Sequence, residues 1–450
     1  MRCDFSMGNT RMKFIAGAVL MSLASVAGAQ SLVGGGATLP AIGYTGSATV
    51  VLNSNLPITP TAGSLLGVYN TVAGGPASTY CPTGSGAGKK ILAGNDATAQ
   101  VNNACTTSNL GFGGTGLTQA DFAGSDAPMS LSEYGAYQTG HAGSGTPVQF
   151  PAISGAIAIA FNKTGVSTLT LTEGQICGIF SGQITTWNDS ALAGAGIPAG
   201  VSGNINVVYR NDNSGTSFSF LNHLSAVCPL AINAISGKAS ATQFKTAQSF
   251  WNGTGASAYI GSYASALPAG GATGGNAGLV AAVNATDGSI GYAEAANPIT
   301  APARFASVKN SNNSTSVNPA TGFGPTALPV SLTFGVAIAD APDANGRPIL
   351  TALAGSPQCV AVVDPSAYAN PTSGYPILAV TYLLGNGQNN GTRAAGVKGL
   401  LFSPYNKTTR PSVTKIGRVG TGYSWLSDSV VLDSTDATTG IQARLNSCVN

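Results

Sequence analysis

The segment 206–224 combines a strand pattern, a polar turn and a helix pattern in an order that suits anion binding. Residues 207–209 (Val-Val-Tyr) form a short β-prone run typical of a buried strand, and Phe218, Leu221 and Leu224 recur at helical spacing. A strand that leads through a polar turn into a helix leaves backbone N–H groups free at the helix start. These groups and the helix dipole together form a binding site for an anion.

Four residues around this turn add chemistry of their own. Ser214 and Thr216 supply hydroxyl donors, and Gly215 between them lets a ligand approach the backbone closely. Arg210, at the end of the strand, carries a planar guanidinium that suits the oxygens of a phosphate or a carboxylate. Taken alone, the segment is equally compatible with an ordinary strand–turn–helix and a solvent-facing arginine.

Two other polar turns have the residue types of a binding loop. A strand-like run enters the glycine triplet 34–36, and Thr38 and Leu39 follow at an expected helix start, where backbone amides are exposed again. Asp126 lies in a turn bounded by glycine and proline, where an aspartate usually caps a helix or forms the turn. A glycine triplet alone is a weak signal, because most are simply flexible turns.

Motif and charge together argue against a nucleotide triphosphatase and against nucleic acid as a ligand. Ser85 lies between two glycines in a segment similar to a nucleotide-binding loop, but Lys89 is followed by Lys90, where the Walker pattern needs serine or threonine. Only 8% of the residues are charged and the formal net charge is +3. No basic stripe is present that would hold a nucleic-acid backbone.

The N-terminus has the pattern of a secretory signal peptide. Basic residues precede an apolar run at 14–26, and a small-x-small motif ends at Ala29. We expect cleavage after Ala29, so that residues 1–29 are a signal peptide and the remainder has no membrane span. Gln30, not cysteine, follows the cut, so no lipid anchor is expected. The protein is therefore expected in the periplasm or outside the cell.

Cysteine usage agrees with export. Of the seven cysteines, removal of Cys3 with the leader leaves six, an even number that favours disulfides in an oxidising compartment. Proximity in the sequence favours a bridge between Cys81 and Cys105. No Cys-x-x-Cys spacing occurs, so a cysteine metal site is not expected, and nothing in the sequence indicates a cofactor.

Strand and helix patterns alternate along the chain, which is typical of an α/β fold. The uncharged apolar run at 150–161 predicts a strand buried on both faces, as in a parallel sheet, and 374–384 predicts another strand. Ser130 and Glu133 have the spacing of a capping box. Residues 43–80 are rich in Gly, Ser, Thr, Ala and Pro, and they predict a surface insertion without chemistry.

Four separated segments together resemble the phosphate-contacting segments of periplasmic phosphate-binding proteins, with the strongest likeness to the DING subgroup. The segments GGATLP, GSG, GSD and RNDNSGT occur in the family's order at 35–40, 84–86, 124–126 and 210–216. Connecting stretches around Cys177 and at 373–378 agree as well. The resemblance covers most of residues 31–295 and part of the remainder.

The resemblance implies an α/β chain with the two-lobed, hinged type II periplasmic substrate-binding protein fold and a ligand cleft between the lobes. Residues 31–148 and 293–450 would form lobe one, and residues 149–292 would form lobe two. The chain would cross between the lobes near 150–151 and again near 290–291.

The same resemblance implies a disulfide between Cys177 and Cys228 that joins two elements of lobe two. Cys359 and Cys448 then remain for the third bridge, whose positions do not follow the subgroup. Residues 297–360 also match the family poorly, and the chain is longer than the family pattern before Ser85. These departures fit added surface loops.

The resemblance also implies which residues hold phosphate, and Asp212 would fix the Arg210 guanidinium in place. The expected ligand residues are Thr38, Leu39, Ser85, Asp126, Arg210, Ser214, Gly215 and Thr216. A carboxylate facing an anion becomes favourable only if the anion donates a hydrogen, as hydrogen phosphate does and sulfate at neutral pH does not. Asp126 is therefore expected to accept phosphate and to reject sulfate.

The leading hypothesis is high-affinity binding of inorganic phosphate, either for uptake through an ABC transporter permease or for scavenging outside the cell. The first alternative is a secreted phosphatase. His141 and His223 lie at unrelated positions, which counts against a metal site, and Ser214 and Thr216 lack a neighbouring base, so no catalytic residue is expected. The second alternative is a surface or assembly protein that keeps the fold.

Overall fold

The computed structural model describes most of the chain that follows the expected signal peptide. The peptide itself, residues 1–29, lies outside the described residues. No helix in the described ranges is both long enough and apolar enough to cross a membrane. The described ranges are 30–47, 56–105, 110–142, 145–210, 212–228, 244–250, 263–265, 275–324, 326–355, 357–427 and 440–450.

Strands and helices alternate through these ranges, as the sequence predicts. The strands are β1 Leu32–Gly36, β2 Ser78–Cys81, β3 Phe122–Ser125, β4 Pro147–Asn162, β5 Thr170–Thr172, β6 Asn206–Tyr209, β7 Tyr263–Ser265, β8 Ser289–Glu294, β9 Arg304–Phe305, β10 Ser307–Lys309, β11 Ser316–Val317, β12 Leu328–Pro329, β13 Leu332–Phe334, β14 Val336–Ile338, β15 Leu350–Ala352, β16 Ala361–Val363, β17 Leu378–Asn386 and β18 Tyr423–Ser427. The α-helices are α1 Ala41–Thr45, α2 Leu65–Thr71, α3 Ser85–Ala93, α4 Leu131–Gly140, α5 Glu173–Phe180, α6 Gly215–Val227, α7 Gly275–Ala285, α8 Pro319–Gly322, α9 Pro365–Ala369, α10 Ala394–Phe402 and α11 Ile441–Cys448.

One large sheet runs through the molecule in the order β2-β1-β3-β17-β4-β8-β6-β7. At one end, β1 pairs in parallel with β2 and β3. At the other end, β6 pairs in parallel with β7 and β8. Between them, β17 runs antiparallel to β3 and to β4, and β4 runs antiparallel to β8. The sheet therefore has two parallel halves joined by an antiparallel centre, which is the two-lobed α/β arrangement.

The long strand β4 belongs to both halves of the sheet. It pairs with β17 as far as Ala156, and from Ile157 onward it pairs with β8. This change of partner lies further along the chain than the expected crossing at 150–151. The strand β9 pairs with the second part of β4, and β10 pairs with β5. The lobe limits at 148/149 and 292/293 stay a prediction.

The apolar run at 150–161 forms the middle of β4, and every residue of β4 is buried. The expected parallel pairing is wrong, because β8, β9, β17 and β18 all run antiparallel to it. An uncharged run indicates that both faces of a strand are covered. It carries no information on strand direction, which depends on where in the chain the partner strand comes from.

Residues 56–80 are not a surface insertion, which corrects the expectation for 43–80. Helix α2 lies within them, and Leu65, Leu66 and Val68 are buried in the core. The strand β2 then pairs with β1 inside the large sheet. The pattern does not predict α2, because the helix has only seven residues and its flanks are rich in Gly, Thr and Pro. Residues 48–55 lie outside the described part.

Three disulfides connect the cysteines in the expected pairs. The bridges are Cys81–Cys105, Cys177–Cys228 and Cys359–Cys448. The second of them ties α5 to the residue that follows α6. A bridge of this kind typically stabilises a fold by about 2–4 kcal/mol. The Cys177–Cys228 bridge therefore anchors the C-terminal end of α6. The segment 214–216 lies at the N-terminal end of the same helix.

Candidate anion-binding site

Four chain segments end at one buried place between the two halves of the sheet. Thr38 lies between β1 and α1, and Ser85 is the first residue of α3. Asp126 follows β3, and Arg210 follows β6. Arg210 and Asp126 are each 1% exposed, and Thr38 and Ser85 are buried as well. The carboxyl ends of strands in α/β sheets are the usual place for a ligand.

Helix α6 begins at this place and is capped by Ser214. The Oγ of Ser214 accepts a hydrogen bond from the Ser217 N–H at 3.1 Å. The N–H groups of Gly215 and Thr216, in the first turn, have no carbonyl partner inside the helix. The cap therefore fixes two backbone donors and the positive end of the helix dipole at the site.

Gly215 presses against the opposite half of the sheet. A Cβ atom at this position would lie 2.4 Å from Ser85 Oγ and 2.6 Å from the Cβ of Asp126, so only glycine fits. Next to this contact, the Gly86 N–H donates to the Asn213 carbonyl at 3.0 Å. The segments 84–86, 124–126 and 213–215 thus touch one another across the two halves.

Arg210 is held by a two-pronged pairing with Asp212. Its Nε and Nη2 donate to the two carboxylate oxygens at 2.7 and 2.5 Å, and its Nη1 donates to Thr38 Oγ1 at 3.3 Å. Burial opposes the charge of Arg210, but the carboxylate of Asp212 outweighs it and raises the pKa of the guanidinium. Arg210 therefore stays charged, and the carboxylate of Asp212 offsets most of that charge.

Asp126 is the buried acceptor of the site. Its Oδ2 accepts from Ser85 Oγ at 3.4 Å, and its backbone N–H donates to the same hydroxyl at 3.1 Å. Its Oδ1 is buried and makes no hydrogen bond to any residue that the structure describes. Burial raises the pKa of Asp126 to about 7, against the lowering effects of Arg210, Ser85 and Thr216. The carboxyl is thus close to the midpoint of its titration at neutral pH.

Leu39 and the two histidines complete the set of residues named from the sequence. Leu39 is buried beside Thr38, and its carbonyl accepts from Tyr423 Oη at 2.5 Å. His141 stacks on the ring of Tyr137, and His223 is buried on α6 with its Nδ1 at 2.8 Å from the Ala369 carbonyl. Among the residues described, no group of three His, Cys, Asp or Glu side chains could hold a metal ion.

Two further buried residues lie at this place, Asn276 and Glu294, and neither was predicted from the sequence. Asn276 is the second residue of α7 and bonds to Arg210, Thr38 and Thr216. A glycine pair before an apolar helix, the same kind of signal as at 34–38, could have revealed it. Glu294 ends β8, and burial and the charge of Asp126 raise its pKa well above the ordinary value. A lone glutamate at a strand end gives no sequence signal.

The β14–β15 hairpin connects the two sides of the site. At its base, the Ile338 N–H donates to the Met129 carbonyl at 3.0 Å, beside the start of α4. Near its tip, Arg347 donates from Nη1 to Ser225 Oγ at 2.8 Å, near the end of α6. The hairpin therefore runs from the first half of the sheet to the helix that begins at the site.

The fold and the buried cluster define a substrate-binding protein of the periplasmic type. The profile of the PBP superfamily domain matches residues 69–401. The chain belongs to this superfamily.

Two relatives with assigned names show what the chain is similar to. Alkaline phosphatase L of Pseudomonas aeruginosa is 28% identical over 401 residues, which cover 87% of this chain and 85% of that protein. Phosphate-binding protein PstS 3 of Mycobacterium leprae is 34% identical over 204 residues, which cover 40% of this chain and 53% of that protein.

Solved structures agree with this assignment. A phosphate-binding protein from Stenotrophomonas maltophilia is 27% identical, with a TM-score of 0.58 over 92% of this chain and 96% of that chain. The fold is also that of a phosphate-bound DING protein, PfluDING, at a TM-score of 0.57, 22% identity, and coverage of 94% and 99%. The resemblance to phosphate-binding proteins is confirmed.

Proposed function

We propose that this chain is an exported binding protein for inorganic phosphate. It would deliver phosphate to an ABC transporter or scavenge it outside the cell. The observation that carries the proposal is that one buried site holds both the Arg210 guanidinium, which Asp212 fixes in place, and Asp126, whose Oδ1 lacks a partner among the described residues. The relatives named for phosphate binding support the same ligand.

The charges of the site favour an anion that brings its own hydrogen. Arg210 supplies one positive charge, and Asp212 offsets it at hydrogen-bond distance. An anion must therefore be held mainly by hydroxyls, backbone N–H groups and helix starts, which are all donors. Asp126 is the exception, because its carboxylate needs a hydrogen from the ligand. Hydrogen phosphate satisfies both requirements, and sulfate at neutral pH satisfies only the first.

In this proposal, phosphate lies between the two lobes and is bonded from both. Lobe one would consist of residues 31–148 and 293–450, and lobe two of residues 149–292. Each lobe would contribute four of the eight ligand residues. The side of lobe one supplies Thr38, Leu39, Ser85 and Asp126, and the side of lobe two supplies Arg210, Ser214, Gly215 and Thr216.

Hydrolysis of phosphomonoesters is the second candidate, because a relative covering most of the chain is named an alkaline phosphatase. The packing argues against it. Gly215 lies against Ser85 and Asp126, and the surrounding side chains are buried, so the organic group of an ester finds no room beside the phosphate. A binding protein without catalysis is the function that the site supports best.

Calorimetric titration with phosphate, sulfate and p-nitrophenyl phosphate separates these functions. At pH 9, where Asp126 is ionised, strong binding of phosphate, at least about a hundredfold tighter than sulfate, is expected from this buried acceptor. The ester should neither bind tightly nor release p-nitrophenol. Steady release of p-nitrophenol that is abolished by Thr216→Ala would establish the phosphatase instead. Equal affinity for phosphate and sulfate would contradict the proposed role of the site.

The hairpin contact predicts a change in the rate of phosphate release. Arg347→Ala removes the two bonds that Nη1 donates to α6, one to Ser225 Oγ and one to the Asn222 carbonyl. Because that contact joins the two sides of the site, its loss should speed dissociation about fivefold and leave association unchanged, as expected for about 1 kcal/mol. Stopped-flow dissociation measures this. Arg418→Ala, at an exposed arginine, is the control. Equal release rates in wild type, Arg347→Ala and Arg418→Ala would show that the Arg347 contact does not slow phosphate release.

A further inference from the structure

We infer that Asn276 forces the hydroxyls of Thr38 and Thr216 to donate their hydrogens to the bound anion. Asn276 is a positioning residue in this inference, which rests on the proposed function. It acts on the anion through the two threonines, which lie on opposite sides of the cleft.

The side-chain amide of Asn276 bonds to three of the proposed ligand residues. Its Oδ1 accepts from Arg210 Nη1 at 3.3 Å. Its Nδ2 donates to Thr38 Oγ1 at 3.2 Å and to Thr216 Oγ1 at 3.1 Å. Asn276 is 1% exposed, so water does not compete for these bonds. One side chain thus connects the guanidinium with one hydroxyl from each half of the sheet.

The orientation of this amide follows from its partners. A guanidinium can only donate hydrogen bonds, so the amide atom that faces Arg210 must be the oxygen. The NH₂ group then has to face the two threonines. Because Arg210 is itself held by Asp212 at 2.7 and 2.5 Å, the direction of the amide is set by a fixed neighbour.

Each threonine hydroxyl has one hydrogen and two acceptor positions. Thr38 Oγ1 accepts from both Asn276 Nδ2 and Arg210 Nη1, which uses both of its acceptor positions. Thr216 Oγ1 accepts from Asn276 Nδ2. The hydrogens of both hydroxyls are therefore turned away from Asn276 and offered to another acceptor. The unprotonated oxygens of a tetrahedral anion are acceptors of this kind.

The packing of α7 brings Asn276 into this position. Gly275, which precedes it, has φ +67°, and a Cβ atom there would lie 2.4 Å from Thr38 Cγ2. A glycine is therefore required for the first turn of α7 to reach Thr38. This close contact of Gly275 does not depend on the hydrogen bonds of Asn276. It nevertheless places Asn276, the next residue, beside Thr38.

The inference narrows the class of ligand. With the two hydroxyls turned into donors, Asp126 Oδ1 is a carboxyl oxygen of the site that has no hydrogen-bond partner in the described part, and Glu294 Oε2 is another. The site is then matched to a tetrahedral oxyanion that carries one hydrogen and offers acceptors on its other oxygens. An anion with no hydrogen leaves Asp126 unsatisfied.

A double-mutant cycle tests this inference, with the Kd of inorganic phosphate measured by calorimetry for wild type, Asn276→Leu, Thr216→Val and the double variant. Each single change should weaken binding about thirtyfold. If Asn276 acts through the hydroxyl, the double variant should bind no more than about threefold more weakly than the weaker single variant. Asn162→Leu is the matched control, since this buried amide donates to the Asn284 carbonyl at 3.0 Å, outside the site. It should bind phosphate like wild type.

The inference and the proposed function predict different outcomes of this cycle. Two results would overturn the inference without contradicting the proposed function. One is a loss of affinity in the double variant equal to the product of the two single losses, and the other is wild-type affinity in Asn276→Leu. Absence of phosphate binding in the wild-type protein would instead remove the proposed function. If Asn276→Leu shows no cooperative thermal melt, the same cycle with Asn276→Ala gives the same two readings.

Discussion

Replacing Arg210 with methionine is expected to weaken phosphate binding about a thousandfold. The guanidinium is buried, and it donates to Thr38, Asn276 and Asp212. Truncating one member of a buried, hydrogen-bonded charge pair typically costs 2–5 kcal/mol, and about 4 kcal/mol corresponds to a factor of about a thousand. The loss is expected in Kd, measured by calorimetric titration with phosphate.

Two controls separate the charge of Arg210 from its shape and from folding. Arg210→Lys keeps the charge but lacks the planar fork that reaches both oxygens of Asp212, so its affinity should lie between those of wild type and Arg210→Met. Arg418→Met changes an exposed arginine and should bind normally. Wild-type affinity in a well-folded Arg210→Met protein would show that the anion binds elsewhere.

Asp126→Asn is expected to reduce the preference for phosphate over sulfate by about a hundredfold at pH 9, which is about two units above the pKa of the wild-type carboxyl. The wild-type carboxylate repels an anion that brings no hydrogen, whereas an amide can either donate or accept. Sulfate should therefore bind better to the variant and phosphate somewhat worse. A buried acceptor left without its donor costs a few kcal/mol, which sets the expected size. Competition titrations with both anions measure the ratio, and an unchanged ratio would remove this role from Asp126.

The pH dependence of sulfate binding gives an internal control for the same residue. Burial raises the pKa of Asp126 from 3.8 to about 7, so the carboxyl is protonated below pH 7 and ionised above it. A protonated carboxyl can donate to sulfate. Sulfate affinity of the wild type should therefore rise as the pH falls from about 8 to 6. The Asp126→Asn variant should show no such rise, because its amide does not titrate.

Local features of the fold could be predicted from the sequence because their causes are local. Residues 206–209 form a strand and residues 215–227 form a helix as expected, since apolar spacing and the Ser214 cap act over a few residues. The Ser130–Glu133 capping box is present with both of its bonds. In each case, neighbouring residues determine the structure.

Non-local features were predicted less well. Pattern analysis identified β4 as a buried strand, but the direction of its partners depends on β17, which comes from a distant part of the chain. Asn276 is a site neighbour only because α7 folds back onto Thr38. Each Gly-rich turn could be recognised alone as a loop of unknown use, and the resemblance to a family was needed to place four of them together.

A crystal structure of the protein with phosphate at pH 8 would show directly whether Asp126 and Arg210 hold the anion together. We expect phosphate between the two halves of the sheet, with one oxygen about 2.6 Å from Asp126 Oδ1, the length of a hydrogen bond from a hydroxyl to a carboxylate. Its other oxygens should face Arg210 and the starts of α3 and α6. Phosphate bound at any other place, or with Asp126 Oδ1 turned away from it, would contradict the account.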